Sequence, residues 1–198
     1  MLEAYVEIIG TRPLLFNRFG PDSIPLVKAE RTGVAGNDPE EWTRRTCWNE
    51  KRQLYLEAPA VFASIRDGGI YTKKGRGSIQ PLIVATLQVI ESLILIDRFL
   101  PEGSVPKDPC APVYLDARGV RMARGPRNVR YRLAASPGWT AMFHLTWDKT
   151  VLGRRELYAA CIDAGRYAGI GDGRKIGFGR YDVAKFEVMN DAQEAAAS

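Results

Sequence analysis

Histidine is almost missing from this chain: His144 is the only one in 198 residues. Cysteine is sparse too. Cys47, Cys110 and Cys161 are far apart, odd in number, and form no Cys-x-x-Cys. A zinc centre needs a cluster of nitrogen and sulfur ligands that these residues cannot supply, so no metal site and no cofactor are expected. Scattered, unpaired thiols read as a reducing, cytoplasmic setting. Long apolar runs are also lacking. The longest, Pro81–Leu100, is broken by Thr86, Gln88, Glu91, Ser92, Asp97 and Arg98, so it does not suit a bilayer. Met1–Gly10 has no basic stretch leading into an apolar core, so no secretory leader is expected there.

What is present is the composition of a folded protein, 45% hydrophobic and 26% charged. The length suits one domain with a large insertion, or two small ones sharing a core, and buries roughly 70% of the unfolded surface. The net charge of +5 is mildly basic and by itself points only weakly to an anionic partner.

Ala4–Gly10 is β-branched and reads as a strand. Thr11–Asn37 is a Gly- and Pro-rich loop. A short helix is expected over Pro39–Glu50, capped by Asp38, with Pro39 at its first position. Leu54–Leu56 reads as a strand and Ala58–Arg66 as a helix stopped by Gly68-Gly69. Tyr71–Ser78 reads as a flexible basic loop. Ile79–Ile96 divides into a helix near Gln80–Gln88 and a strand near Ser92–Asp97. Val113–Met122 and Asn128–Ala134 read as two strands joined by a turn. Trp139–Trp147 alternates: Trp139, Ala141, Phe143, Leu145 and Trp147 share one face, and Thr140, Met142, His144 and Thr146 the other. Arg154–Ala168 reads as a helix with Leu157, Tyr158, Cys161, Ala164 and Ala168 as its apolar stripe. Arg180–Val188 reads as a closing strand.

The densest signal is Gly169–Arg180, with five glycines and three cations in twelve residues. Glycine lets backbone pass through positive φ and approach a ligand closely, and successive bare N–H groups can form an anion-binding concavity. Arg174, Lys175 and Arg180 would add charge-assisted contacts to phosphate. The spacing fits neither a triphosphatase loop nor a dinucleotide fingerprint, because here the helix comes first and the strand second. The competing reading is a helix C-cap and tight turn, with glycines chosen for geometry alone.

A helix ending Ala164-Gly165-Arg166-Tyr167-Ala168, then this loop, then a terminal strand, resembles the C-terminal motif of the RAMP superfamily, the repeat-associated proteins of CRISPR effector complexes. Gly177-Phe178-Gly179-Arg180 carries the closest match. The resemblance covers Trp139–Val188 and is weaker elsewhere: Leu54–Arg66 lies where backbone-type members run a strand into a helix, matched in part by Pro59, Ser64 and Arg66. The chain is also similar to phage and prophage proteins of this length. RAMP proteins carry ferredoxin-like (RRM-like) domains and bind guide RNA. The resemblance therefore implies an α+β fold, an antiparallel sheet with helices on one face. One domain would span 1–190, with insertions near 11–53 and 98–136, and a disordered tail would follow at 191–198.

Two further basic clusters support a nucleic-acid partner. Arg118, Arg121, Arg124, Arg127, Arg130 and Arg132 fall within fifteen residues, with no acid between Asp116 and Asp148. On a hairpin they would make a basic finger, with Tyr131 available to stack a base. The alternative is a solvated hairpin without a partner. Lys73, Lys74 and Arg76 form the second cluster, beside Tyr71.

The expected function is a non-enzymatic RNA-binding subunit that multimerises along a single guide-like strand and meets other effector subunits. Gly169, Gly171, Gly173, Arg174, Lys175, Gly177 and Arg180 would contact phosphates, and Arg121, Arg124, Arg127, Arg130 and Lys74 would add charge or meet a neighbour. Two alternatives stay open. One is an endoribonuclease using His144 or Asp22, since some RAMP proteins cleave RNA with such residues; a half-exposed strand histidine and a turn-forming aspartate are the plainer readings. The other is a phage interaction or single-stranded-DNA-binding protein.

Overall fold

The computed structural model describes residues 1–20, 38–121 and 127–189. Its strands are β1 (Leu2–Gly10), β2 (Leu14–Leu15), β3 (Gln53–Glu57), β4 (Lys73–Lys74), β5 (Gly77–Ser78), β6 (Gln88–Val89), β7 (Leu93–Phe99), β8 (Val113–Arg121), β9 (Arg127–Ala135), β10 (Thr140–Trp147) and β11 (Tyr181–Val188). Its helices are α1 (Glu41–Arg45), α2 (Ala58–Gly68), α3 (Gln80–Thr86) and α4 (Arg154–Asp163).

The main sheet runs β11-β1-β10-β7-β3, with β6 pairing β10. Every neighbouring pair is antiparallel. Taken in chain order, β1, α2, β7, β10, α4 and β11 trace the β-α-β-β-α-β path of the ferredoxin-like fold, and β3 extends the sheet beyond β7. The α+β class expected from the sequence is the class observed.

The alternation read in Trp139–Trp147 decides which face is covered. Trp139, Ala141, Phe143, Leu145 and Trp147 are all 2% exposed or less, while Met142 is 55% exposed. Ala4, Val6 and Ile8 of β1 share the buried face. Val61 and Ile65 of α2 and Leu157, Ala160 and Cys161 of α4 close over it. Each such aliphatic or aromatic side chain contributes about 1.5–3 kcal/mol by leaving water. The two helices meet at Gly68, where a Cβ would lie 2.5 Å from the backbone nitrogen of Ala164.

Three elements differ from the sequence reading. The helix expected over Pro39–Glu50 stops at Arg45, because Thr46 is extended and Trp48 bridges Leu54. Asp38 does accept the Glu40 N–H, at 3.0 Å. The basic loop Tyr71–Ser78 contains a two-stranded hairpin, β4 against β5, turned at Gly75 with φ +59°. The last helix is α-helical only to Asp163 and ends in a π-turn, Ala164–Ala168, where the Gly169 N–H reaches back five residues to Ala164. Tyr158, expected in the buried stripe, is 41% exposed and lies against Phe186 instead. Ala160, one turn before Ala164, holds the stripe.

β8 and β9 pair from Val113–Ala135 to Arg121–Arg127, and β2 joins them through Leu14 and Leu15. Leu15, Tyr114, Ala134 and Phe178 form a small second core under this sheet. Among the described residues no helix is long and apolar enough to cross a membrane.

Two outcomes follow from this packing. A Cβ on Gly165 would sit 2.0 Å from the Tyr181 carbonyl oxygen, while one on Gly177 would meet nothing within 4 Å. Gly165→Ala should therefore cost about 3 kcal/mol, and Gly177→Ala only the left-handed backbone penalty of about 1 kcal/mol. Urea midpoints measure both, and equal costs would refute the close approach. Burial pushes the thiol of Cys47 up to about 11 and that of Cys161 up to about 12. Cys110 is exposed. A thiol reagent at mild alkaline pH should label Cys110 alone in the folded protein and all three cysteines once it is unfolded.

Candidate nucleic-acid interface

The glycine loop lies at the end of the sheet where β1 finishes and β10 and β11 begin. Trp139 anchors that end. Its indole N–H donates to the Arg12 carbonyl at 2.9 Å, and it fills the space a side chain on Gly10 would need. Thr11 and Arg12 donate their backbone N–H groups to Arg180 O.

Between these anchors, Gly169–Arg180 folds onto itself. The N–H groups of Gly169, Ile170, Asp172 and Gly179 donate to the carbonyls of Ala164, Gly179, Leu15 and Pro13. Those four N–H groups are spent inside the protein and so are not part of the expected concavity of bare N–H groups. Gly171 and Gly179 are required by geometry. Both have positive φ, and a Cβ would lie 2.7 Å from Leu15 O in one case and 1.8 Å from Ile170 O in the other. The loop presents outward a single 3₁₀ turn, Arg174–Ile176, with left-handed glycines, Gly173 and Gly177, at both ends.

On one side of that turn lies a cleft of about 380 Å³ lined by Arg174, Lys175, Arg180, Tyr71, Tyr167, Ile70, Ala168 and Asp67. Tyr71 and Tyr167 are 52% and 51% exposed, with ring centroids 4.9 Å apart. α2 and α4 both end here, so residues ninety-odd positions apart meet. Asp67 holds Arg174 at 3.0 Å and Arg66 at 2.8 Å. Lys175 is exposed and makes no ion pair among the described residues. Arg180 donates to Arg174 O at 3.4 Å, and its Nη1 has no partner. On the other side is a cleft of about 490 Å³ whose lining includes Arg12, Asp116, Arg118, Ile176, Gly177 and Phe178.

Three members of the arginine cluster, Arg118, Arg130 and Arg132, are engaged in ion pairs and so are not the free finger that the sequence suggests. Arg118 pairs with Asp116 at 3.0 Å and lies 4.6 Å over the Phe178 ring. Arg130 pairs with Glu41 at 2.8 Å, and that carboxylate also accepts the Tyr131 backbone N–H. Arg132 pairs with Asp172 at 3.1 Å. Glu41 and Asp172 come from distant segments, which is why the run looked unbalanced. Arg121 and Arg127 form the hairpin's last register pair. Arg124 lies outside the described residues. Lys74 does not join the loop either. It pairs at 3.1 Å with Glu156, near the start of α4, whereas the loop follows its end.

The opposite face of the sheet has another character. β1, β7 and β11 give it Glu3, Glu7, Asp97, Asp182 and Glu187, with Lys185 held by Glu187 at 2.6 Å. Ile9, Leu93, Leu95, Phe99 and Met142 are 40–55% exposed there. His144 stands on this face. The Glu91 carboxylate accepts its backbone N–H at 2.8 Å and meets its ring Nδ1, with the Tyr5 ring 5.3 Å away. Burial raises the Glu91 pKa, but these hydrogen bonds outweigh it and hold the carboxyl below its usual value. His144 is therefore a hydrogen-bonded residue on an acidic face, away from the cationic loop. Asp22 lies outside the described residues, and among the described residues no cluster could hold a metal ion.

Sequence reasoning missed Tyr167 as a site residue, although it stands in the Ala164–Ala168 motif. It also missed Arg12.

No protein-family model matches the chain, and no curated protein matches its sequence. Its fold does match solved structures. One is a chain in the cryo-EM structure of the Type III-B Cmr-beta bound to cognate target RNA, at 14% identity and a TM-score of 0.51, covering 95% of this chain and 60% of that one. Another is a chain of a Type IV-B CRISPR complex, at 13% identity and a TM-score of 0.44, covering 96% of this chain and 91% of that one. The chain thus spans 60% of the length of the Cmr-beta chain whose fold it shares.

Proposed function

We propose that the chain is a RAMP-like RNA-binding subunit of a CRISPR-type effector complex, a single domain with insertions near 11–53 and 98–136, which seats the backbone of a single strand across the Arg174–Ile176 turn. One observation carries this: Arg174, Lys175 and Arg180 converge on a cleft with two half-exposed tyrosines. Cations beside open aromatic faces suit single-stranded nucleic acid, whose phosphates are attracted while its bases stack. The open sheet face, which RRM-like domains commonly offer to RNA, carries carboxylates here and repels a polyanion. The RAMP resemblance and the fold shared with a Cmr-beta chain from a structure bound to target RNA support the same reading.

In this arrangement Lys175 and Arg180 meet phosphate directly. Arg174 does so while tethered to Asp67. Gly177 and Gly173 let the strand approach, and Gly169 and Gly171 fix the loop's path. Arg121, Arg124, Arg127 and Arg130 add charge for the strand or meet an adjacent copy, Arg130 while paired with Glu41. Copies line up along the strand, so the protein should sediment as a multimer with long RNA and as smaller units without it.

Fluorescence anisotropy against single-stranded RNA and DNA over a salt series tests the grip. With about five phosphates neutralised, log K should fall against log salt with a slope of roughly −3.5. Arg174→Glu with Lys175→Glu should abolish binding, and tighter binding of RNA than of DNA would reflect contacts to the 2′-hydroxyl. No binding to either strand at low salt would refute the reading. Tyr167→Ala should weaken binding by about 1–3 kcal/mol while leaving the salt slope intact, as a lost stack rather than a lost charge would.

A further inference from the structure

The second cleft, across the turn from the tyrosines, contains a chemical group that phosphate binding does not explain. Asp116 is 8% exposed. One carboxylate oxygen accepts from Arg118 Nη2 at 3.0 Å, while the other, Oδ2, is buried without a hydrogen-bond partner among the described residues. A buried acceptor left unpaired costs about 1–3 kcal/mol, and more when charged. The Arg118 guanidinium also lies over Phe178, its carbon 4.6 Å from the ring centroid. Its side chain is 44% exposed, so it can leave for solvent without crossing the core. What it occupies is a slot with an aromatic floor and a carboxylate at the end.

We propose that this slot takes a guanine base, which displaces the Arg118 side chain and presents its N1–H and N2–H to the two oxygens of Asp116. The edge of guanine is a fork of two adjacent N–H donors on a flat ring, the same donor pattern that the guanidinium offers now. The other bases fit worse. Uracil flanks its one N–H with carbonyls that a carboxylate repels. Adenine and cytosine set an acceptor nitrogen beside their amino group. The displaced Arg118, with Arg12 on the same cleft, remains close enough to meet the flanking phosphate. Lys175 lines the first cleft and Ile176 the second, so a strand crossing the turn reaches both. The inference rests on the strand-binding reading and adds base preference to it.

The test uses three short uridine-rich RNAs of one length: all uridine, the same strand with guanosines at spaced positions, and that strand with inosine replacing each guanosine. Inosine keeps the ring and N1–H and lacks only the amino group. The wild-type protein should bind the guanosine strand about tenfold tighter than the uridine strand, and inosine should remove most of that gain. Asp116→Asn, which turns one acceptor into a donor, should bring the guanosine strand down to the uridine level. Because the inosine comparison uses unaltered protein, a variant that fails to fold does not blunt the test. Tight, salt-dependent binding that ignores base identity would overturn this inference alone. Failure to bind any of the three strands would overturn the strand-binding reading and this one together.

Discussion

Backbone lying directly on backbone is the contact on which the rest of this molecule depends. At Gly165 the end of the last helix presses on the Tyr181 carbonyl, and at Gly179 the loop presses on Ile170, both closer than any side chain would permit. Tyr181 makes the junction rigid from within. It is fully buried, its ring meets Trp139 edge-on, and its hydroxyl shares a 3.0 Å hydrogen bond with buried Ser64 of α2. Burial pushes the Tyr181 phenol far above its usual pKa, so it stays a neutral hydrogen-bonding group. One residue thus ties α2, the start of β11 and the floor of the site together. The loop's outward turn springs from that junction, and of its two cations Arg174 is held further, by Asp67 at 3.0 Å.

The glycines have consequently two functions that a motif alone does not separate. Some are structural: Gly171 and Gly179 exist because neighbours leave no room. Gly177 has open space around it, and only its left-handed backbone and its accessibility account for it. Steric exclusion thus accounts for Gly171 and Gly179 and does not account for Gly177.

The legible parts of the fold were those whose signal is local. The alternation of Trp139–Trp147, the α2 segment stopped by its glycine pair, and the β8 and β9 runs each carry their own periodicity. The illegible parts required distant partners. No local rule says that Glu41 and Asp172 will pair with Arg130 and Arg132, so two members of a cluster that looks like a free finger are ion-paired instead. The π-turn at Ala164–Ala168 answers to the Tyr181 backbone, which follows it by more than a dozen residues. That turn also sets Tyr167 beside Tyr71, a juxtaposition that spacing along the chain cannot reveal.

Glu3 and Glu7 stand on the open sheet face, whereas Lys175 and Arg180 stand at the loop end, so charges of opposite sign occupy separate parts of the molecule. A polyanion produces a field that extends about 10 Å at moderate salt, farther than any hydrogen bond. In that field such a separation of charge would produce a torque before contact, turning the loop end forward. On the strand-binding reading proposed above, collisions that otherwise present the wrong side would be converted into productive ones, and the carboxylates on the far face would raise the association rate of a site they never touch.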